Sequence, residues 1–434
     1  MAFTDATLLS KVRDCPALPP LPAEVRGMLE LAAIPGADIN DLSRVILQSP
    51  SLSGKLVAFA NLDFFGKRGS VTSVRSALVL LGVEKVRAVV AGLALAHASA
   101  GVCPRGFSGA RFRRRAVLAG SAAWVIASRL EMGCEASAFL SAMTMDLGMF
   151  ALDYAAPEKY STLMGKIASH GDLLAIEAST LGVTHAQAAG HLAKAWRLPE
   201  EVCSAVMHHH DAVGATEANA GQIAQILCTA GRCADAFFDP SPLWAVADAR
   251  RHLSERFGVA DARCNRIMRE IGEKANALCP LFDLAPESRL TYDRVARRAK
   301  EQLHQVVKDG AAGPKSSEQR SVPRIKRDTD VFVIPCTGST VGGSVRAHLR
   351  DVSARGIGLR YSEPMPTGSR FIFRLHKAGG QWTTLLYEVV RSRNVWGGFD
   401  IGAKLLRVLK DESAATMQAP TDANGQSENS TQAA

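Results

Sequence analysis

Two short stretches carry residue types that can hold a small polar ligand. The first, QRSVPRIKR, contains Arg320 and Arg324 in an Arg-x3-Arg spacing. The second, further on, is Asp351-Val352-Ser353-Ala354-Arg355-Gly356, a D-x-S-x-x-G turn. A guanidinium fork can grip phosphate oxygens or the O6/N7 edge of guanine. A carboxylate can accept from guanine N–H groups, and a serine hydroxyl and a glycine let backbone and ligand approach closely. Together the halves describe a site for a phosphate-bearing guanine ligand. Arg-x3-Arg alone arises by chance in a basic chain. The ordered pair, each half followed by strand-like sequence, is a much more specific signal.

The charge distribution points to the same segment. The 434-residue chain has a net charge of +9, and residues 320–410 hold 16 Lys/Arg against 6 Asp/Glu. That segment is therefore +10, and the rest of the chain is close to neutral. A pocket for an anion and a patch for nucleic acid both suit such an excess. No helix-turn-helix or zinc-finger spacing accompanies it, so the small anion is favoured and nucleic acid is disfavoured.

These residues need elements to position them. After Gly313-Pro314-Lys315-Ser316-Ser317 the hydrophobic period changes from helical to alternating. Val331 and Val333, then Val345, Ala347 and Leu349, then Ile357, Leu359 and Tyr361 alternate with polar residues. So do Phe371, Phe373 and Leu375, then Leu385, Tyr387 and Val389, and GFDIGAKLL adds one strand more. Six short strands separated by glycine-rich turns predict a small antiparallel barrel. Upstream, apolar residues recur at helical spacing. Asp38 is placed to cap a helix through Leu42, Val45 and Ile46. Val74 to Leu81 ends at Gly82, and Val83 to Ala98 is almost wholly apolar, hence buried. The expected organisation is a helical domain (14–213), a helical extension (214–310), a linker (311–319), the barrel (320–410) and a disordered tail (411–434).

Composition narrows the class. The nine cysteines are scattered, odd in number and without C-x-x-C. That argues against a disulfide framework or a cysteine zinc site and suggests a reducing cytosol. The N-terminus lacks a basic-then-apolar leader. The longest apolar run, near Ala88–Ala98, is interrupted by His97 and is too short for a bilayer. A soluble cytoplasmic protein without a membrane span is expected.

Two resemblances follow from these motifs. The order LPPLP, helix, SPSLSGKLVAFAN, FFG, SVTSVRSALVLLGVEKVRAVV resembles the N-terminal half of HDOD domains, all-helical relatives of HD-type metal phosphohydrolases, and continues to about Asp211. Ser49-Pro50 replaces the family's Asp-Pro, and Asn61-Leu62-Asp63-Phe64 its Asn-Ser-x-Phe, while Ala77 to Gly82 fits well. Roughly residues 318–408 resemble the PilZ domain, whose family ligand is cyclic di-GMP.

The PilZ resemblance implies that Arg320 and Arg324 lie on the loop entering the first strand, where they grip phosphate and guanine. Asp351, Ser353 and Gly356 would sit at the strand end opposite and contact the other base. Lys326 and Arg327 add positive charge near the mouth. The HDOD resemblance places the His-Asp pair of an HD hydrolase at Met145-Asp146, and an earlier helix histidine near Arg115. Methionine is a poor ligand for a hard or borderline cation, and a guanidinium opposes a metal. His185, His209 and His210 survive and are expected to be structural, with a residual metal site near Asp146, His185, His209 and His210 left open. The cyclic di-GMP-cleaving relatives' Gly-Tyr-Pro motif is absent. Arg111, Arg113, Arg114 and Arg115 read as a solvated helix face, with a docking patch for an acidic partner as the rival.

The expectation is a multidomain α + β protein, an all-α HDOD domain with a helical extension followed by a six-stranded PilZ-like barrel. It would be a bacterial intracellular signalling effector that is not an enzyme, with no catalytic residues, metal or cofactor. Its ligand would be cyclic di-GMP, and its helical module would meet a protein partner to control motility, attachment (biofilm) or virulence. The alternatives are an HD-type metal-dependent phosphohydrolase regulated by the barrel, and a nucleic-acid-binding regulator.

Overall fold

A computed structural model describes residues 6–13, 23–32, 38–62, 71–98, 109–164, 170–215, 218–239, 242–287, 291–311, 325–336, 341–353, 355–376, 382–395 and 397–410. Arg320, Arg324, the stretch 312–319 and the tail 411–434 lie outside them. Helices fill the first three quarters of the chain: α1 (Ala6–Arg13), α2 (Ala23–Ala32), α3 (Ile39–Leu47), α4 (Pro50–Ala60), α5 (Val74–Leu81), α6 (Val83–Ala98), α7 (Gly109–Arg129), α8 (Glu135–Thr144) and α9 (Gly148–Ala155). Next come α10 (Pro157–Met164), α11 (His170–Leu181), α12 (His185–Ala195), α13 (Glu200–Met207), α14 (Ala218–Phe238), α15 (Pro242–Phe257), α16 (Asp261–Leu278) and α17 (Tyr292–Ala311). The strands are β1 (Ile325–Pro335), β2 (Val345–Ser353), β3 (Gly356–Tyr361), β4 (Arg370–His376), β5 (Trp382–Val395) and β6 (Gly398–Lys410).

Local chemistry sets the helix starts. The Asp38 carboxylate accepts from the Asn40 backbone at 2.8 Å, and Ser73 Oγ accepts from Ser76 at 3.1 Å. Each satisfies an amide that the first helical turn leaves over. Thr184 and Gln187 form a reciprocal capping box at the start of α12. Helix α7 runs through the middle of the helical core. From Ala116 to Ala127 every residue is buried, and most are small, so neighbouring helices can approach closely. Trp124, Phe59 and Phe139 pack around it at ring separations between 6.1 and 6.5 Å.

The strands close into an antiparallel barrel in the order β1-β2-β3-β6-β5-β4. Its interior holds Val333, Ala347, Leu349, Ile357, Leu359, Phe371, Phe373, Leu385, Tyr387, Val389, Ile401 and Ala403. Of the alternating residues read from the sequence, Val331, Val345 and Tyr361 are only partly buried against this cluster, the Leu375 side chain lies outside the described set, and the rest are interior.

Part of the barrel's outer surface is equally apolar. Ile334 on β1 lies opposite Ile372 on β4, which lies opposite Leu386 on β5. All three are fully buried and belong to the helical core, together with Val341. The seat is built from α15 and α17. The Ser344 amide donates to the Ala247 carbonyl at 3.2 Å. Arg251 Nε donates to Ser344 Oγ at 3.1 Å, and its guanidinium lies 4.1 Å from the centre of the Phe332 ring. Arg374 sits over Trp244. Helix α17 buries one face through Tyr292, Val295, Ala299 and Leu303, while Asp293, Arg294, Arg297, Arg298 and Glu301 on its other face are exposed.

Helices α14 and α15 meet along a charged seam. Asp248 pairs with Arg251 and with Arg232. Burial alone would raise the Asp248 carboxyl, but Arg232, Arg251 and His252 outweigh it and hold it below the usual range. Burial dominates at His252 and pushes it down to about 4, against the pull of Asp248.

Two outcomes follow. Each buried apolar side chain of the barrel seat contributes about 2 kcal/mol or more. Ile372→Ala should therefore lower urea stability by about 2–4 kcal/mol, and an unchanged midpoint would contradict the shared core. An unfolded histidine takes a proton near 6.5, whereas folded His252 takes one only near 4. The unfolded chain thus binds more protons in that window, and stability falls as pH drops through it, by about 3 kcal/mol. His252→Gln should flatten this part of the stability–pH curve, measured by urea melts at pH 7, 5.5 and 4.5.

Candidate functional sites

The first site surrounds Asp146, in the turn between α8 and α9. Gly148 brings it there. A Cβ on Gly148 would fall 2.0 Å from the His185 carbonyl oxygen, so only glycine lets α9 touch the start of α12. Asp146 is buried, and its Oδ2 accepts from Arg115 Nη1 on α7. The same guanidinium donates through Nε to Asp235 on α14 at 2.8 Å. Burial opposes the Arg115 charge, yet Asp146 and Asp235 outweigh it and raise its pKa above the ordinary arginine value. His185 Nε2 and His209 Nε2 stand 3.9 and 3.8 Å from Asp146 Oδ1.

A second layer orients the histidines. Glu177, fully buried, takes the His185 ring Nδ1 and the His185 backbone amide on one oxygen, both at 2.7 Å. Its other oxygen accepts from the Tyr160 hydroxyl at 2.9 Å. Burial works to lower the His185 pKa, but Glu177 and then Asp146 overcome it and raise it. Glu177 therefore favours a proton on Nδ1, and His185 Nε2 meets His210 Nε2 at 2.9 Å. His209 Nδ1 lies 2.7 Å from the Val206 carbonyl and so carries its proton there.

The residues present do not fit the metal centre of an HD hydrolase. The carboxylate that would ligate is held by a guanidinium, and Met145 stands where the family has histidine. The nitrogens of His185, His209 and His210 lie within 4.8 Å of one another. They are a donor set of the kind borderline cations take, but without the Asp146–metal partnership that would activate water. Sequence reasoning found Asp146, Arg115 and the three histidines. It missed Asp235, Glu177 and Tyr160, which no spacing rule connects to them. The arginine cluster differs from its expected solvated face. Arg114 bonds the Ala285 carbonyl at 2.8 Å and pairs with Glu287 at 3.0 Å. Arg111 bonds the Phe238 carbonyl at 3.3 Å and lies over its ring. These arginines join α7 to the extension.

The second site is one rim of the barrel. Ser353 Oγ accepts from the Gly356 amide at 3.1 Å and from the Arg355 amide at 3.4 Å, closing the β2–β3 turn. Asp351 sits at a register irregularity of β2, opposite Gly358 on β3 and Lys326 on β1. Arg350 Nη2 lies 3.3 Å from its Oδ2. Asp351, Ser353 and Gly356 thus share the same end of the same hairpin. Ile325, the residue bonded to Arg324, lies opposite Val352, between Asp351 and Ser353.

Comparison with known families agrees with both halves. Residues 18–212 match the HDOD domain and residues 318–419 the PilZ domain. No curated protein matches significantly. An HDOD domain protein of unknown function from Geobacter sulfurreducens is 19% identical, with a TM-score of 0.51, and the match covers 64% of this chain and 99% of that one. That likeness shows the helical fold. A structure from Marinobacter aquaeolei VT8, described as a signal transduction protein, is 22% identical at a TM-score of 0.47, over 61% of this chain. The match spans 59% of the Marinobacter chain's own length. One from Shewanella amazonensis SB2B, assigned by name to the phosphohydrolases, is 18% identical at 0.46, over 67% of this chain and 98% of that one.

Arg115→Met should leave two carboxylates at the core without their shared cation. The expected loss is about 3–5 kcal/mol in urea unfolding at pH 7. Arg115→Lys should recover only part of it, because an ammonium cannot reach both carboxylates as a fork does. Full stability in the methionine variant would show that the guanidinium is dispensable.

Proposed function

We propose that this chain, an HDOD domain followed by a PilZ domain, is a bacterial intracellular signalling effector whose barrel binds cyclic di-GMP. The observation that carries the reading is the rim. The motif residues Asp351, Ser353 and Gly356 gather on the β2–β3 hairpin, and Ile325, which follows Arg324 in the chain, lies opposite Val352. Arg320 and Arg324 supply forks for phosphate and for a guanine edge, and Asp351 accepts from guanine N–H groups. The ligand bears two phosphates, which suits the segment's +10 charge.

The helical domain acts as a protein-interaction module without catalysis. Arg115 occupies the cation position beside Asp146, which disfavours a metal-dependent phosphohydrolase. A nucleic-acid regulator is disfavoured because no helix-turn-helix or zinc-finger spacing accompanies the basic residues of the barrel. Among the described residues no helix is long and apolar enough to cross a membrane, which accords with action in the cytoplasm. Control of motility, attachment or virulence is an analogy at the level of fold.

Strand β1 offers a route from ligand to helices. Its first residues lie beside Asp351, and its later residues, Phe332 and Ile334, meet α15 and the helical core. Ligand contacts made by Arg320 and Arg324 would bear on β1, and through it on the seat.

Calorimetric titration of the full chain with cyclic di-GMP should give micromolar or tighter binding, and Arg324→Ala and Asp351→Ala should each weaken it at least tenfold. Absence of binding by the unaltered protein, with steep salt-dependent binding to DNA or RNA instead, would overturn the receptor reading in favour of a nucleic-acid regulator.

A further inference from the structure

Five strands contribute one residue each to a row across the outside of the barrel. Lys326 on β1 lies opposite Asp351 on β2, Asp351 opposite Gly358 on β3, Gly358 opposite Gly402 on β6, and Gly402 opposite Arg391 on β5. The residues flanking the glycines, Ile357, Leu359, Ile401 and Ala403, point into the barrel core, so the row faces outward. Its two middle positions have no side chain.

The neighbours lean over that gap from both sides. A Cβ on Gly358 would lie 2.5 Å from Asp351 Oδ2, so the carboxylate already covers β3. A Cβ on Gly402 would lie 3.3 Å from Arg391 Nε and 3.6 Å from its Nη2, so the guanidinium covers β6. Adjacent strands are about 4.8 Å apart, which brings the two groups onto one small floor. Asp400 ties them together. It pairs with Arg391 Nη2 at 3.7 Å and with Arg350 Nη1 at 3.0 Å, and Arg350 in turn pairs with Asp351. The result is an unbroken ionic chain, Asp351–Arg350–Asp400–Arg391. Asp351 and Asp400 are mostly covered, whereas the Arg391 side chain is 40% exposed.

We propose that Arg391 is a further ligand-contacting residue of the barrel, the platform on which one guanine ring stacks while Asp351 takes its N–H edge. A guanidinium is planar and weakly hydrated, and it stacks on base faces in a way an ammonium cannot. The glycines let Asp351 and Arg391 lie low against the strands beneath a flat ring, and a side chain at either glycine would displace them. Asp400 is a positioning residue that holds Arg391 over the floor. Neither Arg391 nor Asp400 belongs to the Arg-x3-Arg or D-x-S-x-x-G motifs. The assignment rests on the cyclic di-GMP reading above.

The test is calorimetric titration of cyclic di-GMP into the full chain and its Arg391→Ala, Arg391→Lys, Asp400→Asn and Gly402→Ala variants, with thermal melts as a check of folding. Arg391→Ala should weaken binding about tenfold, the usual scale of one base-stacking contact. Arg391→Lys should weaken it nearly as much, since charge is kept and the plane lost. Asp400→Asn should weaken it about threefold, and Gly402→Ala several-fold, because the new methyl displaces the guanidinium. Wild-type affinity in both Arg391 variants, with Asp351→Ala still defective, overturns the platform and leaves the receptor reading intact. Full rescue by lysine reduces Arg391 to a point charge and also overturns it. No binding by the unaltered chain removes the receptor reading and this inference together.

Discussion

A buried guanidinium holds the helical domain to its extension. Arg115 leaves the central helix α7 and bonds Asp146 at the α8–α9 turn and Asp235 on α14. A charge so deep is tolerable only when paired and hydrogen-bonded, because desolvation otherwise costs more than any surface pair returns. The arrangement reads as an ion centre whose cation is covalently part of the chain. Through it the α8–α9 turn, α7 and α14 converge on one guanidinium. The neighbouring arginines do related work. Arg114 and Arg111 leave the same helix to bond carbonyls at Ala285 and Phe238, so one basic turn anchors much of the extension.

A second constraint joins the two kinds of structure. The strands β1, β4 and β5 are apolar on both faces near Ile334, Ile372 and Leu386, as a sheet must be when it is covered on both sides. One face fills the barrel and the other continues the helical core. The barrel is therefore seated on α15 and α17, with Arg251 and the Ser344 amide setting its orientation. The opposite side, β2-β3-β6, carries Asp351, the two glycines and the ionic chain through Asp400. The apolar side docks, and on the function proposed above the polar side recognises the ligand; strand β1 belongs to both sides.

Much of this was legible from residue order. The alternation from Val331 to Leu405 specifies barrel strands because each strand needs one face for the interior, and the helix cap at Asp38 is read from a single residue. The two halves of the arginine and D-x-S-x-x-G motif were legible as well. The outer apolar row was harder to see. Ile334, Ile372 and Leu386 sit between inward residues, so they look like ordinary strand hydrophobes until a second body covers them. The arginines of α7 misled in the opposite sense, since four cations within one turn suggest solvent, and only the carboxylates and carbonyls of distant segments make their burial affordable.

Sequence alone determined what is local or periodic: helix and strand identity, the cap at Asp38, most of the inward strand residues and the excess of positive charge. Tertiary structure decided what depends on partners far apart in the chain. Asp235 meets Arg115, Glu177 turns His185, Gly148 lets α9 reach α12, and Gly402 meets Arg391 only after the barrel closes. The physical reason is common to all of them. A backbone preference is set by a residue and its near neighbours, whereas the meaning of a charge, or of a missing side chain, is set by whatever folding brings against it.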